Sequence, residues 1–283
     1  MVLWVTTPEN GALLDALEDL LDALDLAPAV SAPSTAGGAA DDSQSDFGVA
    51  DTDVFIGRSQ PMPHGRVFGG QVLAQSIIAA GRTVNDLDDA AARPRRIHSL
   101  HGYFLRPGDS NHPIRFTVER LRDGHSFSAR RVHAIQYGRP ILSMITSFQT
   151  DADGLDHQDS VPAAPDPEIL PTLAEVFAGV DDPQANFWST DKAVDLRHVE
   201  GAIYIRPGRQ LASRQSVWLR TMGRLPDDPP INAAVLAYCS DYSLLEPVRG
   251  MMEHWNEKSR PPTHLRVHSH GQNAPEDALG ESR

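Results

Sequence analysis

Asp241 closes the string Tyr238-Cys-Ser-Asp241 on an otherwise apolar run at 231–245. A carboxylate on an apolar helix can take a proton from water attacking a carbonyl, because partial burial raises its pKa and makes it a better base. The plainer alternative is a carboxylate near a helix end that faces solvent. Gly69 and Gly70 stand just before a second apolar run. There they can let a substrate approach exposed backbone N–H groups that polarise a carbonyl, or they can allow close helix–strand packing. Arg95, Arg96, Arg106, Arg122, Arg130 and Arg131 concentrate positive charge in 93–131. Such a patch recognises phosphate; solvated strand faces and turns are the competing use. His98, His101 and His125 offer a weaker cluster. A spacing of three along a strand puts His98 and His101 on opposite faces, which favours structural roles. Ser126 lacks a GxSxG elbow, and Cys239 on an apolar helix is an inert thiol.

These residues need elements to position them. Leucines at 13, 14, 17, 20, 21, 24 and 26 make 13–26 an amphipathic helix. Residues 27–53 change to Ala, Ser, Gly, Pro and Asp without Lys or Arg, as in a low-complexity insertion. A buried helix then starts near Gly69 and is expected to end at Gly81. Four strand-like runs follow at 98–105, 114–121, 126–136 and 141–149, separated by turn signals at 106–109, 122–124 and 137–140. A helix followed by an antiparallel meander predicts an α+β layer architecture. Residues 151–199 read as a connector with a short helix near 173–177. Strand-like runs at 202–206 and 216–220 and the helix at 231–245 come next. Residues 249–283 lack apolar periodicity and read as a tail; its four histidines are a poor metal site.

The chain has 283 residues, with 25 Lys+Arg against 38 Asp+Glu, a formal net charge of −13. This excess argues against bulk nucleic-acid binding, and an anionic ligand would need the local arginine patch. No apolar run reaches the ~18–20 residues of a membrane span, and 1–7 lacks the features of a signal peptide. Cys239, the single cysteine, fits a reducing compartment. An internal repeat is visible too. Val-Leu-Ala recurs at 72–74 and 235–237, 163 residues apart, in the two apolar helices. By that spacing the second copy has its entry strand and helix but stops before its meander.

The strings GRVFGGQVLAQ (65–75), HSLHGYFLRPGD (98–109) and LRDGHSFSARR (121–131) occur in order, followed by SFQ at 147–149 and AYCSDY at 237–242. Together they resemble the type II, TesB-like acyl-CoA thioesterases over roughly 13–248, interrupted by 27–53. The resemblance implies a double hotdog fold, in which each antiparallel sheet wraps one long helix. The first unit would occupy 54–150, with a truncated second unit at 200–248. It implies hydrolysis of acyl-CoA to free acid and CoA, without metal or other cofactor, by a cytoplasmic homo-oligomer. Carried over by residue, Asp241 is the catalytic carboxylate, acting with a Thr and a Gln of the second-unit sheet on one water. No string matching those two follows Pro247. Gln149 is the first-unit counterpart of the Gln, and the repeat sets Ile78 opposite Asp241. For an acyl-CoA, Gly69, Gly70, Arg106, Arg130 and Arg131 are the substrate-binding candidates. The rival expectation is a non-catalytic acyl-CoA-binding or oligomer-forming remnant.

Overall fold

Helix α2 (Gly69–Asn85) is buried on nearly every side, as its alanines, isoleucines and valines require. A computed structural model describes residues 2–3, 11–29, 52–201 (save 89, 156, 161, 182 and 191) and 215–243. A six-stranded antiparallel sheet wraps α2 in the order β2-β3-β5-β6-β7-β4. The strands are β2 (Ala27–Pro28), β3 (Thr52–Gly57), β4 (Arg95–Phe104), β5 (Ile114–Asp123), β6 (Phe127–Gln136) and β7 (Arg139–Thr150). Alternation decides which side chains meet the helix. Ile114, Phe116 and Val118 of β5, Val132 and Ala134 of β6, and Leu142, Met144 and Phe148 of β7 form the core with Val72, Ile77 and Val84 of α2. This is the expected first hotdog unit.

Helix α1 (Gly11–Leu24) covers another side of α2 through Leu17, Leu20 and Leu24. Two buried glutamines hold it there. Gln75 Nε2 donates to the carbonyls of Ala23 and Arg58, both at 2.8 Å, and Gln71 Nε2 donates to the Arg58 carbonyl at 2.9 Å. Arg58 in turn binds Asp19 and Asp22 on α1. A buried amide with its hydrogen bonds made costs little, whereas one left unpaired costs ~1–3 kcal/mol.

Of the second unit, the described residues include helix α5 (Pro229–Ser240) and a small sheet, β1-β9-β8. Strand β8 (Val194–His198) pairs antiparallel with β9 (Val217–Thr221), and β1 (Val2–Leu3) pairs parallel with β9. Tyr238, Ala237, Ala234 and Val235 bury α5 against α2 in one continuous core. A 3₁₀ turn (Pro167–Ile169) and helix α3 (Leu173–Val176), with a Thr172–Glu175 capping box, precede α4 (Pro183–Thr190).

Several expectations shift. Helix α2 continues past Gly81, which keeps a negative φ, and Thr83 and Val84 stay buried beyond it. The 231–245 helix stops at Ser240, with Asp241 as its C-cap. Strand β8 and helix α4 lie in the stretch read as connector; β8 is buried at every position and carries Asp195 and Arg197, so it shows no alternation to read. A bulge between Ile97 and Ser99 inserts one residue, so His98 and His101 share the outer sheet face: His98 Nε2 lies 2.9 Å from Ser147 Oγ, and His101 pairs with Ile145. The expected 202–206 strand and the 249–283 tail lie outside the described residues, as does most of the 27–53 insertion. No helix among the described residues is long and apolar enough to cross a membrane.

The α2–α5 contact yields a paired prediction. A Cβ at Gly70 would run into the Tyr238 carbonyl oxygen, whereas one at Gly81 meets nothing within 4 Å. Gly70→Ala should therefore destabilise the fold by about 1–3 kcal/mol. Gly81→Ala should stabilise it by about 0.5–1 kcal/mol. Urea unfolding of both variants measures the contrast.

Candidate active site

Helix α2 begins without a side-chain cap of its own: Phe68 occupies the N-cap position and has no oxygen to offer. The first N–H groups of a helix have no intrahelical acceptor. Asp241, at the C-terminus of α5, fills the role from the other unit. Its Oδ2 accepts a hydrogen bond from the Gly70 N–H at 2.9 Å. The approach is possible only over glycine, since a Cβ at Gly69 would lie 2.6 Å from Asp241 Oδ2 and 2.9 Å from the Phe104 ring.

An aromatic cluster joins the start of α2 to the end of α5, on either side of the contact. The Phe68 ring stands 5.0 Å from Tyr238, edge to face, and 4.8 Å from Tyr242. Tyr238 Oη donates to Gln60 Oε1 at 3.2 Å. The buried Lys192 ammonium faces the Tyr242 ring at 5.0 Å and the Phe187 ring at 4.1 Å. Burial pushes the Asp241 carboxyl up to about 6, and the Gly70 N–H holds it from rising further. Among the described residues that N–H is its one hydrogen-bond donor. A carboxyl raised in this way is a stronger base than a freely hydrated one.

The other candidates separate. Gly69 and Gly70 meet Asp241 directly. Arg106 is exposed just past β4, and its guanidinium donates to the Pro140 carbonyl at 2.8 Å. Arg131 lies on the outer sheet face, paired with Glu119 at 3.0 Å. Arg130 points inward and is 0% exposed. Its guanidinium donates to Thr83 Oγ1 at 2.7 Å, to Asp123 at 2.8 Å and to the carbonyls of Arg122 and Ala129. That arginine joins the end of α2 to the sheet, and its donors are committed to the fold. Gln149 stands seven residues along β7 from Leu142, which pairs with Phe104, so about 23 Å of strand lies between it and the end of β7 beside Phe104. Ile78 is buried in α2 and Cys239 in α5, where burial pushes its thiol up to about 12. The aromatic wall of Phe68, Tyr238 and Tyr242 and the Lys192 ammonium are features that the spacing of charged residues did not single out. The described residues hold no group of three or more His, Cys, Asp or Glu placed to bind a metal.

The chain matches two family models: one described as acyl-CoA thioesterase N-terminal domain over residues 58–149, the other as acyl-CoA thioesterase over 191–260. It is 35% identical over 196 residues to acyl-CoA thioesterase 2 of Haemophilus influenzae, covering 67% of this chain and 65% of that protein. It therefore spans about two thirds of that relative's length. A solved tesB protein of Mycobacterium avium subspecies paratuberculosis superposes with a TM-score of 0.59 at 30% identity, covering 84% of this chain and 74% of that one. A conserved hot dog protein of Alicyclobacillus acidocaldarius superposes with a TM-score of 0.57 at 16% identity, over 83% of this chain and 72% of its own, and shares the fold alone.

The two inner-strand arginines separate by energy. Arg130→Met leaves Asp123 and Thr83 without their partner and should cost about 2–3 kcal/mol, less than a fully buried pair because Asp123 is about a third exposed. Arg131→Ala breaks a half-exposed pair and should cost about 1 kcal/mol. Equilibrium denaturation of the two variants measures the difference.

Proposed function

Because the chain belongs to the type II, TesB-like family of acyl-CoA thioesterases, we propose that it hydrolyses acyl-CoA to free acid and CoA at the Asp241 site. The observation that carries this reading is the delivery of one unit's carboxylate to the glycine-rich N-terminus of the other unit's helix. A water hydrogen-bonded to Asp241 attacks the thioester carbonyl, and the carboxylate takes its proton. Negative charge that grows on the carbonyl oxygen is favoured by the positive end of α2. The C–S bond then breaks, and the leaving thiolate takes the proton from Asp241. The aromatic wall keeps bulk water from the carboxylate and so maintains its basicity. The same reading carries a cytoplasmic location and association of copies through their sheets.

Asp241→Asn tests the assignment. A general base contributes about 10²–10⁴-fold, so CoA release followed with a thiol reagent should fall at least a hundredfold. In the wild type, kcat/KM should fall as pH drops through about 6, because protonated Asp241 cannot accept a proton. Stability moves the other way. The folded pKa lies above the unfolded value of 3.8, so the folded state holds the extra proton between them, and stability decreases as pH rises from about 4 to about 6 and levels off above that. Asp241→Asn removes that cost, so its Tm advantage over wild type should grow from pH 4 to pH 8. A variant that keeps wild-type turnover would overturn the role of Asp241; wild-type protein that releases no CoA from any chain length would overturn the activity.

A further inference from the structure

The loop that enters α2 has a second wall, away from Asp241. Gly65 and Arg66, the turn after β4 and the β6–β7 hairpin enclose a cleft of about 280 Å³. Three arginines are among the residues that line it: Arg66, Arg106 and Arg139. Among the described residues none of the three is in an ion pair. Three positive charges against a single carboxylate leave a net positive charge, which favours an anion between them. The one carboxylate in the lining, Asp109, is already satisfied. It accepts from the Asn111 N–H at 2.9 Å, lies 3.0 Å from His112 Nδ1, and accepts from Tyr137 Oη at 2.8 Å. These donors hold its carboxyl down at about 2.

The cleft is built rather than incidental. Gln136 is buried and ties the β4–β5 loop from below. Its Oε1 accepts from the Asp109 N–H at 2.7 Å, and its Nε2 donates to the carbonyls of Asp109 and His112, both at 2.9 Å. Arg66 is bridged to Asp109 through the backbone, which sets the two sides of the cleft in register. The hairpin turn is two residues, Tyr137 and Gly138, with φ of 50° and 70°. Glycine adopts that region freely, but tyrosine does so at a cost. The Oη bond to Asp109 offsets the strain and fixes a ring that is 68% exposed at the rim of the cleft. A flat exposed ring beside three arginines that are in no ion pair among the described residues suits a ligand with both an aromatic base and phosphates.

We propose that this cleft holds the nucleotide end of the acyl-CoA. Arg66, Arg106 and Arg139 take the phosphate oxygens, and the Tyr137 ring stacks on the adenine. The assignment rests on the thioesterase reading above. It also fits the geometry of the entry loop. Arg66 precedes Gly69 by three residues, so their Cα atoms lie within about 11 Å of each other. The flexible pantetheine arm spans such a gap, leaving the phosphates on one side of the loop and the thioester at the start of α2 on the other.

The test uses the full chain and two substrates with the same acyl group, one on CoA and one on pantetheine, which has no nucleotide. Arg66→Ala/Arg139→Ala should raise KM for the acyl-CoA about tenfold or more and leave hydrolysis of the acyl-pantetheine unchanged. Tyr137→Gly keeps the turn geometry and removes the ring, so it should raise KM for the CoA substrate alone. Equal losses with both substrates, or no change with either, would overturn the cleft assignment. Calorimetric titration with adenosine 3′,5′-bisphosphate separates this from the activity itself. Binding to the wild type that the double arginine variant loses supports the cleft even if neither thioester is hydrolysed, an outcome in which only the thioesterase reading fails. No binding to the wild type overturns the cleft.

Discussion

Two helices from different halves of the chain meet where a side chain on α2 would keep them apart. Gly69 and Gly70 let α2 come up to the Tyr238 carbonyl and the Asp241 carboxylate of α5, and the Gly70 N–H closes the contact at 2.9 Å. The contact is structural and chemical at once. It caps α2, which has no cap of its own. It also holds a carboxylate at the positive end of one helix and the negative end of another, inside an aromatic wall. The backbone N–H favours the ionised form while burial disfavours it, and the balance leaves the carboxyl near 6. A freely hydrated carboxylate would be a weaker base, and one buried without the N–H would stay protonated through neutral pH.

Polar groups fix how the rest of the first unit stacks around this contact. Apolar packing of α2 against the sheet is nondirectional, and a helix so uniformly buried could slide or rotate at modest cost. Gln71 and Gln75 on one side and Arg130 on the other bind particular carbonyls and hydroxyls. Displacing the helix would leave those donors buried without partners, a larger cost than a change in apolar contact. The orientation of Gly70 toward α5 depends on them.

The entry loop, 65–70, divides two kinds of chemistry. Toward α5 it meets a partly desolvated carboxylate and aromatic rings; on its other side it meets exposed guanidinium groups and a hairpin turn. A ligand with a long arm between a charged head and a reactive ester can use both sides. The net charge of −13 does not oppose this, because exposed charges more than about 8–10 Å away are largely screened at physiological salt.

Much of this was legible in the residues. The helix–meander order, the approximate strand limits and the ordered motifs placed the chain in its fold and family, because alternation and turn chemistry are local properties. Asp241 and the paired glycines stood out for the same reason. Orientation across elements was not legible. Arg130 and Arg131 are neighbours of one chemical type, yet the strand sends one into the core and the other to the outer face, and the sheet register decides which. His98 and His101 share a face because of a bulge with no clear sequence signature. Arg66 and Arg139 are 73 residues apart, and the hairpin and entry loop bring them to one cleft. Periodicity and turn signals thus determined the α+β class by themselves, and the ordered motifs carried the resemblance that implied the family and its hotdog fold. Which carboxylate meets which backbone N–H, and which arginines stay out of ion pairs, was decided by the tertiary structure, because burial, pKa and charge pairing depend on distances between segments far apart in sequence.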